Sequence, residues 1–166
     1  MRSLAMRNLI FLPLLALAAP AVAHEADLPP ATLPAPDANV DAVLVPVRAL
    51  FAGIAAHDPA LITPYIVDGA TMTIADSTSG ATTTSTVAFS EWITQLPLAT
   101  ERYEERMPNP VVDTDGDIAM VWGFYTFHRD GAFSHCGADH FSLVREDGTW
   151  KIANLAFSRR ITDCGE

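Results

Sequence analysis

Three Asp-Gly pairs, Asp115-Gly116, Asp130-Gly131 and Asp147-Gly148, punctuate the second half of the chain. Asp-Gly is a strong two-residue hairpin signal, because both positions tolerate the positive φ that a tight turn between twisted strands requires. The segments they join, "ERYEERMPNPVV", "IAMVWGFYTFH", "FSHCGADHFSLVR" and "TWKIANLAFSRR", read as strands. Four strands joined by three tight turns form an antiparallel meander. Pro108 and Pro110 push the first of them toward a sheet edge or a bulge.

The first half reads differently. Val40, Val43, Leu44, Val47, Leu50, Phe51 and Ile54 recur at helical spacing, predicting an amphipathic helix over 39–56, with Pro46 expected to kink or delay it. Asp58 and Pro59 start a short helix as cap and first residue. "ATMTIA" (70–75) alternates as a strand, and "DSTSGATTTST" reads as a mobile loop ending in a second short strand. Ser90 is expected to cap a short helix, "EWITQL", stopped by Pro97. Helices followed by a meander predict an α+β domain, with helices covering one face of a curved, mostly antiparallel sheet.

Residues 1–23 have the build of a signal peptide: Arg2 and Arg7, an apolar run from Leu9 to Ala19, then Ala21-Val22-Ala23. Residues 24–38, rich in proline, read as a linker or arm, leaving 39–166 as the domain. A periplasmic or secreted protein is expected, with no membrane partner once the leader is cleaved. Cleavage removes two arginines, so the formal charge of −10 becomes more negative still. Such acidity disfavours a nucleic-acid partner and by itself names no substrate. Cys136 and Cys164 remain, an even count that fits either a disulfide in an oxidising compartment or two separate thiols. A bridge requires the C-terminal tail to turn back after Ile161.

With the three Asp-Gly pairs as central turn residues, the register assigns side chains to faces. One face collects Tyr103, Glu105, Met107, Asn109, Trp122, Phe124, Thr126, His128, His135, Asp139, Phe141, Leu143, Ile152 and Asn154. The other holds Gly123, Tyr125, Phe127, Cys136, Ala138, His140, Val144, Ala153, Leu155 and Phe157, and a single bulge would exchange part of these lists. In "FSHCGADHF", His135 and Asp139 thus oppose Cys136 and His140, which excludes one tetrahedral metal site, and no metal is expected. "DTDGDI" (113–118) starts like a calcium loop but has Ile118 and Phe124 where the loop needs Gly and Glu, so it reads as a solvated turn. Polar groups among aromatic walls on the first face suit a pocket for a small, partly apolar molecule. Tyr103, Glu105, Met107, Trp122, Phe124, Phe141 and Asn154 are its candidate ligand-binding residues, and Asp139 with His135 its candidate catalytic pair. Alternatively, Asp139 and His135 only satisfy each other or the backbone. Small residues beside aromatic ones on the second face suit a homodimer through the sheet, or cover by a terminal segment.

"FAGIAAHDPALITPYIVDGATMTI", "FSEWI", "DGDIAMVWGFYTFHRDGAFSHCGADHFSLVREDGTWKIANLAFSRR" and the closing "DCG" resemble the nuclear transport factor 2-like superfamily over roughly residues 40–164. The resemblance is strongest to its exported bacterial branch labelled putative lumazine-binding. It implies a cone-shaped α+β fold with a pocket at the open end of a curved sheet, and a dimer through that sheet. Related cones include ketosteroid isomerase, polyketide cyclases and scytalone dehydratase, while others bind or scaffold, so function rests on the site. In isomerase-like members a pocket acid carries the proton. Asp139 is the residue here for that role, with His135 or Tyr103 as hydrogen-bond partner. Three functions stay open: a small-molecule-binding protein, an isomerase, dehydratase or cyclase, or an interaction protein whose pocket is plugged by Phe51 or Tyr65. No cofactor is expected.

Overall fold

The computed structural model describes residues 39–165, and the readings of residues 1–38 as leader and linker lie outside them. Helix α1 (Val40–Ala56) is followed by two short 3-10 turns, strand β1 (Ile66–Asp76), strand β2 (Thr83–Ala88), helix α2 (Phe89–Trp92), a 3-10 stretch (Ile93–Leu98) and strands β3 (Tyr103–Arg106), β4 (Val111–Asp115), β5 (Ile118–Arg129), β6 (Ala132–Glu146) and β7 (Thr149–Arg159). The strands form one sheet in the order β2-β1-β7-β6-β5-β3, with β4 also pairing with β5. Every pairing is antiparallel except β1 with β7.

Asn39 caps α1, its side chain accepting from the Ala42 N–H at 3.1 Å. The helix runs unbroken through Pro46, which lies on the buried face. His57 ends it in the left-handed conformation, and Asp58 caps the next turn as read from the sequence. Ser90 is not a cap: α2 starts one residue earlier, and Pro97 lies inside the 3-10 stretch rather than ending it. The segment expected to be one strand before β5 is two, β3 and β4, parted at Pro108 and Pro110. α1 packs its buried stripe, Val43, Val47, Leu50 and Ile54, against Phe141, Leu143, Ile152 and Leu155 of the sheet in one apolar core.

Two of the three hairpins turn where the sequence places them. Asp130-Gly131 and Asp147-Gly148 both have positive φ at each central residue, the mark of a type I′ turn. The first hairpin turns one residue later, at Gly116-Asp117, since Asp115 pairs with Ile118. There only Gly116 has positive φ, as a type II′ turn needs.

Two bulges then change the faces. Phe127 pairs with His135 but His128 with Phe133, so Ser134 is an extra residue in β6. Ser142 pairs with Asn154 but Leu143 with Ile152, so Ala153 is an extra residue in β7. Each extra residue shifts the pairing by one and exchanges the faces beyond it. The helix-facing side of the sheet therefore carries Tyr125 and Phe127 of β5, His135, Asp139 and Phe141 of β6, and Leu155 and Phe157 of β7. Trp122, Phe124 and Asn154, expected on this side, lie on the other.

Candidate functional site

The helix-facing side encloses a cavity of about 250 Å³. Leu50 and Ile54 of α1, with Trp92, Gln95 and Leu96 after it, form one wall. Tyr103 and Glu105 of β3, Tyr125 and Phe127 of β5, His135 and Asp139 of β6, and Leu155 and Phe157 of β7 form the other. Met72 of β1 adds to this lining, and Arg129 and Arg159 stand at its more exposed end. The walls are mostly apolar and aromatic with a few polar groups, the usual make-up of a small-molecule site.

Asp139 is 1% exposed, and its Oδ2 is buried without a hydrogen-bond partner. Its position on β6 opposite Gly123 is fixed by the ladder on either side. Its neighbour in the cavity is the carboxyl of Glu105. Burial pushes the Asp139 pKa up to about 7. Glu105 is raised well above the usual range by burial first and by the Asp139 charge second. Two acids that close keep one proton between them near neutral pH, since ionising both would place like charges together out of water.

His135 lies on the next inward position but one toward the Asp130-Gly131 turn. Its ring stacks on Phe127, with centroids 4.8 Å apart and planes at 18°, and Nδ1 lies 3.1 Å from Ser134 Oγ. Burial, then the charges of Arg159 and Arg129, lowers its pKa to about 4, so the ring is neutral at physiological pH. Tyr125 donates its hydroxyl to Ser158 O at 2.9 Å and is raised by burial and by both acids. At the exposed end, Arg159 pairs with Asp76, and Arg129 reaches Glu101 at 3.5 Å while lying over the Tyr103 ring.

Of the residues picked from sequence, Asp139, His135, Glu105 and Tyr103 line the cavity. Phe141 and Met107 point the same way but pack in the core, Phe141 against Phe51 and Met107 over Gly123. Neither Phe51 nor Tyr65, the expected plugs, is among the lining residues. Trp122 and Phe124 are 41% and 67% exposed on the outer side, because the Ser134 bulge exchanges the register. Asn154 also faces outward, donating to Thr71 O and Oγ1, because Ala153 is bulged out before it. Tyr125, Phe127, Leu155 and Phe157, assigned to the opposite face from sequence, are cavity walls instead. The outer face offered for a homodimer keeps Cys136, Ala138 and His140 as expected, but carries Trp122 and Phe124 of β5 in place of Tyr125 and Phe127.

Cys136, on the outer side, is bonded to Cys164 with Cα atoms 5.6 Å apart. The tail does turn back: Arg160 bridges to Cys136, and Asp163 adopts a left-handed conformation. "DTDGDI" is the first hairpin, and its Asp117 accepts from Arg145 at 2.8 Å. Among the described residues no helix is long and apolar enough to cross a membrane.

Residues 38–158 match the protein family described as "Putative lumazine-binding". No curated protein matches the sequence. Among solved structures, an NTF2-like protein from Cytophaga hutchinsonii is similar at TM-score 0.60 and 15% identity, over 72% of this chain and 96% of that one. An NTF2-like protein of unknown function from Shewanella baltica gives TM-score 0.55 at 12% identity, over 72% and 91%. A protein from Xanthomonas campestris, named "Putative calcium/calmodulin dependent protein kinase II association domain", gives 0.56 at 22% identity, over 78% and 92%. Likeness at these identities establishes the fold.

Proposed function

This chain belongs to the putative lumazine-binding family, within the NTF2-like fold, and on that premise we propose that it is an exported protein holding one small, partly apolar molecule in the cavity between α1 and the sheet. One observation carries the reading. A carboxylate oxygen, Asp139 Oδ2, is buried without a donor and belongs to a residue lining an aromatic-walled cavity. An acceptor left in that state costs about 1–3 kcal/mol, more for a charged group, unless a partner or a proton meets it. A bound molecule with a polar edge supplies the partner, and the ring walls supply apolar contact. The family's name supports a flat ring system as the guest. The Cys136–Cys164 bridge supports an oxidising compartment.

The position of Asp139 also favours a second reading, an isomerase, dehydratase or cyclase in which it carries the proton. A pKa of about 7 leaves it able both to take and to release a proton at neutral pH. The outer face, with Trp122 and Phe124 exposed, supports a homodimer through the sheet.

Native mass spectrometry of the protein purified from an exported fraction, followed by denaturation, tests the first reading. A stoichiometric small molecule released on unfolding is expected, and the same spectrum reads the subunit count. A guest chemically converted by the wild type but held unchanged by Asp139→Asn moves the assignment to the enzyme. A protein that carries nothing and whose melting temperature ignores a broad metabolite panel contradicts both.

A further inference from the structure

We propose that the guest of this cavity is a flat ring with two parallel N–H donors on one edge, of the amidine or amino-azine type, and that this edge sits against Asp139 and Glu105. The inference rests on the cavity being a binding site and adds the chemistry of what it takes. Asp139 is 1% exposed and its Oδ2 has no hydrogen-bond partner, and the single proton shared with Glu105 leaves more acceptors than donors at the buried end of the cavity. Three of the donors lining the cavity are committed elsewhere. Tyr125 gives its hydroxyl to Ser158 O, Arg159 is paired with Asp76, and Arg129 with Glu101.

Three classes of guest then separate. An anionic head would stand against a carboxyl pair that already shares a negative charge. A ring with acceptors alone would leave Asp139 Oδ2 as it is. A head with two parallel N–H groups matches a carboxylate edge to edge, in the strong bidentate geometry. The body must be flat and apolar, because the flanking walls are the rings of Tyr103, Phe127, Phe157 and Trp92.

Every ionisable group facing the pair bears on its pH dependence. β3 contributes Glu105 and Tyr103, β5 Tyr125 and Arg129, β6 Asp139 and His135, and β7 Arg159, which is paired with Asp76 of β1. α1, α2 and the stretch after it line the cavity with Leu50, Ile54, Trp92, Gln95, Leu96 and Ala99, none of which titrates. His135 is neutral above about pH 4, so between pH 5 and 8 the pair itself is what changes charge. A cationic head favours the doubly ionised pair and displaces its shared proton. Its affinity therefore rises with pH across that window, by at most about tenfold per unit for one proton released.

The test is calorimetric titration of the purified full protein with three near-isosteric probes, benzamidine, benzoate and acetophenone, at pH 5 to 8. Benzamidine is expected to bind at least ten times more tightly than either other probe at pH 7, and more tightly at pH 8 than at pH 6. Asp139→Asn is expected to weaken benzamidine at least tenfold and flatten its pH slope, while changing acetophenone less than threefold. Glu105→Gln provides the same comparison should the first variant fail to fold. Benzoate or acetophenone binding as well as benzamidine overturns the donor-edge assignment and leaves the cavity a binding site. No binding of any probe to the folded protein counts against both.

Discussion

At Asp139 the sequence and the chemistry meet most directly. Unfolded, its carboxyl titrates near the ordinary 3.8, and folded it is pushed up to about 7 by burial. Between these values the folded state holds a proton that the unfolded state has released, so this group makes stability fall as pH rises through the window and level off above it. His135 runs the other way. Its folded pKa of about 4 lies below the ordinary 6.5, so its contribution makes stability rise between those values. Asp139→Asn should remove only the falling part. Chemical denaturation at pH 4 and pH 8 should show the variant gaining stability relative to the wild type at the higher pH, by on the order of 3 kcal/mol. Nitrogen NMR of His135 should show a neutral ring down to about pH 5. The candidate acid was legible because an Asp two residues before Phe141 on a strand must share its face. Glu105 was legible as a residue of the same face but not as the partner of Asp139, a role expected of His135 or Tyr103, since the pairing depends on the bulged register and on burial in the assembled cavity.

At the scale of the strands, legibility stops at the bulges. Both sides of β5 are aromatic, with Trp122 and Phe124 on one and Tyr125 and Phe127 on the other, so hydrophobicity cannot choose between them. The extra residues, Ser134 and Ala153, are neither glycine nor proline and carry no local mark. Two of the three Asp-Gly pairs set the ends of their hairpins, and the bulges then moved everything beyond them by one. Between the last β6–β7 pairs, Gly137 and Ser158 approach closely. A Cβ on Gly137 would land on Ser158 O and lie 2.7 Å from the Tyr125 ring. Gly137→Ala is expected to cost about 3 kcal/mol in urea unfolding, as overpacking of a rigid site does. Ser158 Oγ meanwhile accepts from the Ala138 N–H at 3.0 Å. Ser158→Ala should cost about 1–3 kcal/mol by leaving that donor unpaired. Ser158 sits one residue from the cavity wall at Phe157, and Gly137 two residues from Asp139 and from His135.

Over the whole domain, the order of elements was readable because each carries its own signal: apolar residues at helical spacing in α1, alternation in β1, Asp-Gly pairs after β4, β5 and β6. The parallel pairing of β1 with β7 was not, because nothing local records which distant strand completes a sheet. The disulfide ties the tail to β6 across a separation of 28 residues, which in the chain-entropy picture stabilises the fold by roughly 3 kcal/mol. Reduction, or replacement of both cysteines by alanine, should lower stability by about that amount in denaturant unfolding and leave the cavity walls in place, since Cys136 points to the opposite side. The central claim is that helix and sheet frame a cavity whose inner end holds a buried carboxyl pair. Carbon-13 NMR titration of the aspartate and glutamate carboxyls from pH 3 to 9 tests it most directly. The account predicts two carboxyl signals, assigned by Asp139→Asn and Glu105→Gln, that stay protonated well above pH 5 and titrate together. If both titrate near pH 4, the pair stands in water and no enclosed site exists on that face.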